Sequence, residues 1–213
     1  MITLYGAYRS RTSRPLWLLA EIGIPYRHVP VIQAYRLTDG QKAEGWTTAS
    51  PEFLAVNPLG QIPAYQEDGL VLTESLAITL HIARVHGGDL GPRDAADTSL
   101  IEQWALFAAT AVETPALEIL YAQAEGGEQA AVALNAEKLR RPLGRLQKHL
   151  SANDWLVGGR FTVADLNTAE CVRYAQGHPT LLAEFPAVKA WLERAQARPA
   201  FQKMWAERMK EPA

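Results

Sequence analysis

From Met1 to about residue 83, short apolar runs alternate with turn residues and helix-like stretches. Ile2–Tyr5 is a brief β-type run that meets Gly6. Leu16–Ile22 is strongly apolar and starts behind Ser13-Arg14-Pro15, where Ser13 or Thr12 can cap a helix and proline is tolerated in the first turn. Gly23 ends that helix, and Tyr26–Ile32 reads as a second strand. Strand–helix–strand at this spacing predicts a βαβ unit with parallel strands. A polar stretch, Gln33–Ser50, and the turn Asn57-Pro58-Leu59-Gly60 follow. Ile62–Gln66 and Leu70–Leu72 flank Glu67-Asp68-Gly69, and Asp-Gly between two apolar runs predicts a hairpin. Thr73 or Glu74 then opens a helix over Ser75–Val85.

Beyond the glycine-rich Gly87–Arg93 no strand pattern recurs. Leu100, Trp104, Phe107 and Ala111 fall at helical spacing, as do Leu139, Leu143, Leu146 and Leu150, and Val188, Trp191, Leu192 and Ala195. The pattern predicts an α/β module over residues 1–84, a linker over 85–96 and an all-helical bundle over 97–213.

Composition removes several functions. The 213 residues are 48% hydrophobic and 21% charged, the balance of a globular protein. Lys+Arg of 21 against Asp+Glu of 23 leaves a net charge of −2, with no broad field to attract nucleic acid or an anionic membrane. No uncharged apolar run approaches the ~18 residues of a membrane helix. The first residues hold no basic segment followed by an apolar one, so a cytoplasmic protein without nucleic-acid or membrane partners is expected. The lone Cys171 excludes an internal disulfide and Cys-rich zinc or iron–sulfur sites. The five histidines show no metal-ligand spacing, so no metal is expected.

Two places carry candidate chemistry. Pro63 sits at the edge of an apolar run, where proline removes a ladder donor. It reads either as a trans proline in an edge strand or as a cis bond that leaves the Ile62 backbone open to an extended peptide ligand. Frequency alone favours trans, since cis is only about 5–6% of X-Pro bonds. Glu74-Ser75 opens a helix, whose free N–H groups suit a ligand carboxylate. There the Ser75 hydroxyl would add a hydrogen bond and Glu74 would hold an ammonium. The simpler alternative is a helix capped by Thr73 with an acidic first turn.

The run Asn-Pro-x-Gly-Gln-Ile-Pro at 57–63, followed by Thr-Glu-Ser-x-Ala-Ile at 73–78, resembles the glutathione-binding half of cytosolic glutathione S-transferases. Trp155–Leu166 resembles that family's helix-capping segment, with Thr162 as N-cap and Asp165 completing a capping box. The resemblance spans nearly the whole chain. It implies an α/β thioredoxin-like N-terminal domain and an all-α C-terminal helical bundle, with glutathione as co-substrate across the first. Ile62 backbone groups would pair with its cysteinyl part, in front of a cis Pro63. Glu74 and Ser75 would hold its γ-glutamyl end, and Gln61 would reach the same region. The resemblance also implies a homodimer, and an acceptor pocket of Tyr8, Trp104 and Phe107 for a small electrophile.

A free thiol with a pKa of about 8.5 is only a few per cent thiolate at neutral pH. Each unit of lowering takes about 1.4 kcal/mol, the scale of one charge-assisted hydroxyl bond beside a helix N-terminus. Tyr8–Arg14 offers such groups. Ser10, with Arg14 four residues on, has the spacing closest to theta-like, serine-type members and is the favoured catalytic residue. Thr12 and Ser13 are alternatives, Ser13 more readily read as a helix cap; the guanidinium of Arg11 is a further one, and Tyr8 lacks the surroundings of tyrosine-type members. Phi and theta members carry a His or Lys upstream of Asn57 for the glycyl carboxylate. Thr48 and Ala49 stand there instead, with Trp46, Lys42 or Gln41 as substitutes. The leading reading is a transferase joining the glutathione thiolate to small, apolar electrophiles. The alternatives are a non-catalytic transferase-like binding protein, or another glutathione-dependent reaction (peroxidase, dehalogenase, isomerase) on the same fold.

Overall fold

A computed structural model describes residues 1–37, 45–124 and 129–211, and Lys42, Gln41 and the Gly126-Gly127 pair lie outside them. The chain divides into two units, Met1–Gly87 with Pro199–Ala213, and Gly88–Arg198.

The first unit begins with β1 (Thr3–Tyr5), α1 (Ser13–Ile22) and β2 (Arg27–Val29), and β1 and β2 pair in parallel. Val29 ends β2 because Pro30 has no N–H for a ladder. The expected strand Tyr26–Ile32 is therefore split. Its second part, β3 (Val31–Ile32), pairs with β4 (Trp46–Thr47) in a separate two-stranded sheet. A short helix, α2 (Pro51–Leu54), places Phe53 in a core cluster with Tyr5, Val31 and Ala64. β5 (Ala64–Glu67) and β6 (Leu70–Leu72) form the expected hairpin, and the main sheet runs β2-β1-β5-β6. Asp68 at φ +47° and Gly69 at φ +88° are both left-handed, as a two-residue type I′ turn requires. α3 (Ser75–His86) completes the module.

The second unit is helical: α4 (Ala95–Phe107), α5 (Thr114–Ala124), α6 (Gln129–Leu150), α7 (Val163–Val172) and α8 (Pro186–Gln196). Asp94 caps α4 by accepting from the Asp97 N–H at 2.8 Å. α4 and α5 are joined without a break by a π-helical segment, Ala108–Glu113. Pro115 follows one residue on, after Thr114. It has no N–H and crowds the carbonyl one turn back, and a π segment absorbs the missing bond. The whole run Ala95–Ala124 is long and apolar enough by length and composition to cross a membrane, but 39% of its most apolar window is buried inside the protein.

α7 is buried throughout and starts with the capping box expected at Thr162 and Asp165. Asp165 accepts from the N–H groups of Thr162 at 3.0 Å and Leu156 at 2.9 Å, and from Trp191 Nε1 at 3.0 Å. Burial pushes its pKa up to about 6, against donors that favour the ionised form.

The final helix, α9 (Pro199–Lys210), belongs to the first unit. The reason lies in α1, which buries Ser13 through Leu19 without a polar face. A helix buried all round needs cover all round. α3 and α9 both pack on α1, with Trp17 edge-on to Phe201 at 4.9 Å between ring centres. Residues 97–213 are therefore not one body, and the segment read as a linker already contains the end of α3 and the start of α4.

Candidate active site

The loop from β1 to α1 brings the candidate hydroxyls together. Gly6 has φ +147°, and a Cβ there would fall 2.1 Å from Thr12 Oγ1. Only glycine lets the strand end approach Thr12 so closely. Thr12 is 0% exposed and stands at the N-cap position of α1 with helical dihedrals and no capping bond. Ser13 is also 0% exposed. Ser10 is half-buried, so of these three hydroxyls it alone meets solvent. Its Oγ lies 2.7 Å from the Ala7 carbonyl and 2.8 Å from Thr12 Oγ1, and accepts the Thr12 N–H at 3.0 Å. One hydroxyl proton serves one acceptor at a time, and an anionic sulfur would compete strongly for it. Arg11 is exposed.

Arg14 is the residue whose role sequence reading missed. It is buried, and its Nη1 donates to Ser75 Oγ at 2.9 Å. This bond ties the first turn of α1 to the first turn of α3. A signal existed: an arginine in the first turn of an otherwise apolar helix has no water-facing side to take. Ser75 is 5% exposed and, having accepted from Arg14, keeps its own proton to donate. Glu74 occupies the N-cap position with φ −77° and ψ 125°, makes no capping bond and exposes its carboxylate. Thr73 does not cap α3.

The Ile62–Pro63 peptide bond is cis. The β1–β5 ladder ends at the pair Tyr5 and Ala64, so Ile62 lies beyond it with its side chain against the core cluster. Buried Asn57 sets the turn before it. Its Nδ2 donates to the Gln61 carbonyl at 2.6 Å and its Oδ1 accepts from Leu59 N–H at 3.2 Å. Gly60, at φ +60°, packs where a Cβ would meet the Thr48 carbonyl at 2.7 Å. Gln61 is exposed beside Ile62. Gln61, Ile62, Glu74, Ser75 and Ser10 thus all belong to the first unit.

Tyr8 packs edge-on to His28 at 5.4 Å. Burial, with Tyr26 and Glu207 nearby, pushes its pKa up to about 12, so it stays a neutral phenol. Trp104, 4% exposed, lies in the second unit, edge-on to Phe107 and His149 with the Arg145 guanidinium over its ring at 4.9 Å. Thr48 spends its groups on structure, accepting from Ala34 N–H at 3.0 Å and donating its own N–H to Ile32. Trp46 stacks on Tyr5. Among the described residues no three His, Cys, Asp or Glu side chains gather as metal ligands.

Comparison with known proteins bears directly on this arrangement. Residues 1–84 match the family "Glutathione S-transferase, N-terminal domain", and residues 107–199 match "Glutathione S-transferase, C-terminal domain". Glutathione S-transferase 3 of Zea mays is 36% identical over 95% of this chain and 92% of its own. The crystal structure of glutathione transferase F7 from Populus trichocarpa superposes with a TM-score of 0.81 at 31% identity, covering 98% of this chain and 99% of that one. A theta class enzyme from Xanthomonas axonopodis pv. citri, solved with glutathione bound, has a TM-score of 0.80 at 26% identity over 95% of each chain. With both domains matched and a relative this similar along nearly its full length, the chain belongs to the glutathione S-transferase family.

Proposed function

We propose that the first unit binds glutathione and that Ser10 activates its thiol for attack on small, apolar electrophiles. The observation that carries this is the pairing of Ser10, the accessible hydroxyl of its loop, with a ledge suited to the tripeptide. Glu74 takes the ammonium of the γ-glutamyl end, and Ser75, oriented by Arg14, takes its carboxylate. The Ile62 backbone pairs with the cysteinyl part, and Gln61 lies alongside. The thiol proton leaves to solvent. The Ser10 hydroxyl then turns from Ala7 to the thiolate, whose lone pair forms the C–S bond as the leaving group departs with its electron pair. Arg11 is exposed and Thr12 enclosed, so Thr12 supports Ser10 from behind. Tyr8, beside this loop in the first unit, is proposed to meet the electrophile. On this reading the protein is a cytoplasmic homodimer acting in detoxification.

Gel filtration followed by calorimetry and turnover of an activated aryl halide tests the reading. The expected result is a dimer that binds glutathione below millimolar. Ser10→Ala should keep that binding and lose roughly 10–100-fold in kcat, the ~1.5–3 kcal/mol of one hydrogen bond to a charge. Absent glutathione binding at millimolar ligand would instead support a non-catalytic binding protein, a reading that the loss of the basic residue at Thr48 favours.

A further inference from the structure

The loop that presents Ser10 has no ladder of its own, yet every backbone polar group of the two residues before it is taken by a side chain. The Glu211 carboxylate accepts the Tyr8 N–H at 2.8 Å through Oε1 and the Arg9 N–H at 2.7 Å through Oε2. Arg208 Nη1 donates to the Tyr8 carbonyl, and Arg36 Nη2 donates to the Arg9 carbonyl at 2.8 Å. Arg9 Nε returns a bond to the Arg208 carbonyl at 3.2 Å. Arg208 lies in the last turn of α9, and Glu211 follows that helix directly. The end of α9 therefore grips Tyr8 and Arg9 from some 200 residues away in sequence, through bonds to charged groups, which are the strong ones.

We propose that Glu211 is a positioning residue for thiol activation: its two carboxylate oxygens fix the Tyr8–Arg9 backbone so that the Ser10 hydroxyl faces the bound sulfur. This rests on the reading of Ser10 given above. Glu211 touches neither the thiol nor the tripeptide ledge, so its effect belongs in kcat and in the acid limb of the pH profile, and not in glutathione affinity.

The test compares wild type with Glu211→Ala, Glu211→Gln and Ser10→Ala, measuring kcat, KM for glutathione and the pH dependence of kcat/KM with an aryl halide. Thermal stability is followed alongside. Glu211→Ala is expected to lower kcat about tenfold and move the acid limb up by about one unit, toward free thiol, with KM for glutathione changed less than twofold. Glu211→Gln should fall between, because an amide offers one acceptor oxygen where two N–H groups wait. It also keeps the test open if the alanine variant does not fold. If Ser10→Ala shifts the profile while the folded Glu211 variants keep the wild-type one, Glu211 is a structural clamp only and the proposal is overturned. If Ser10→Ala itself keeps the wild-type profile, the reading of Ser10 fails, and with it this one.

Discussion

Three hydroxyls stand within four residues after β1, and exposure separates them. Ser10 reaches solvent, while Thr12 and Ser13 are enclosed. The resemblance to serine-type transferases singled out Ser10 but left Thr12, Ser13 and Arg11 beside it, because a sequence does not state which way a loop side chain points. Ser75 shows the opposite case. Its place at a helix start was legible, but its buried bond from Arg14 was not, since the partner lies 61 residues away. Two consequences follow for Ser75→Ala. Losing the donor to a ligand carboxylate should raise KM for glutathione about tenfold, with kcat nearly kept, as one charged hydrogen bond is worth ~1.5–3 kcal/mol. Leaving a buried guanidinium N–H without this acceptor should also cost about 1–3 kcal/mol of stability. Steady-state kinetics and thermal denaturation check both. An unchanged KM would remove Ser75 from the ligand site.

At the scale of elements, strong local signals came through and long-range pairings did not. The Asp68-Gly69 hairpin and the Thr162–Asp165 capping box were readable because each is set within a few residues. β4 was not, since two residues are too short to show a period and its partner β3 lies on the far side of the polar stretch 33–45. Asp165 is the buried acid of that capping box. Its folded pKa of about 6 lies above the ordinary carboxylate value, with burial as the main cause. An acid raised on folding stabilises most below its unfolded pKa and loses that contribution as pH rises through the folded one. Asp165→Asn loses an acceptor for the Thr162 N–H but carries no charge. It should be less stable than wild type at pH ~4, by ~1–3 kcal/mol, and the gap should narrow as pH rises from about 4 to about 6 and level off above that. Chemical denaturation across that range measures it, and parallel stability curves would show that Asp165 does not titrate on folding.

At the scale of the whole molecule, the sequence pattern located a change from mixed to helical structure but not the return of α9 to the first unit. α9 looks like any amphipathic helix, and its partner surface is made by α1, at the other end of the chain. That return carries Arg208 and Glu211 to the Ser10 loop. The net charge of −2 fits a site that grips its ligand with a few local groups and not with a broad field. The central claim is that Ser10 makes the bound sulfur a thiolate near neutral pH. Ultraviolet titration of the thiolate absorbance of glutathione bound to wild type and to Ser10→Ala tests it most directly. The account predicts a bound thiol pKa at least one unit below the free value of about 8.5 in wild type, moving back toward it in Ser10→Ala. The same pKa in both proteins would contradict it.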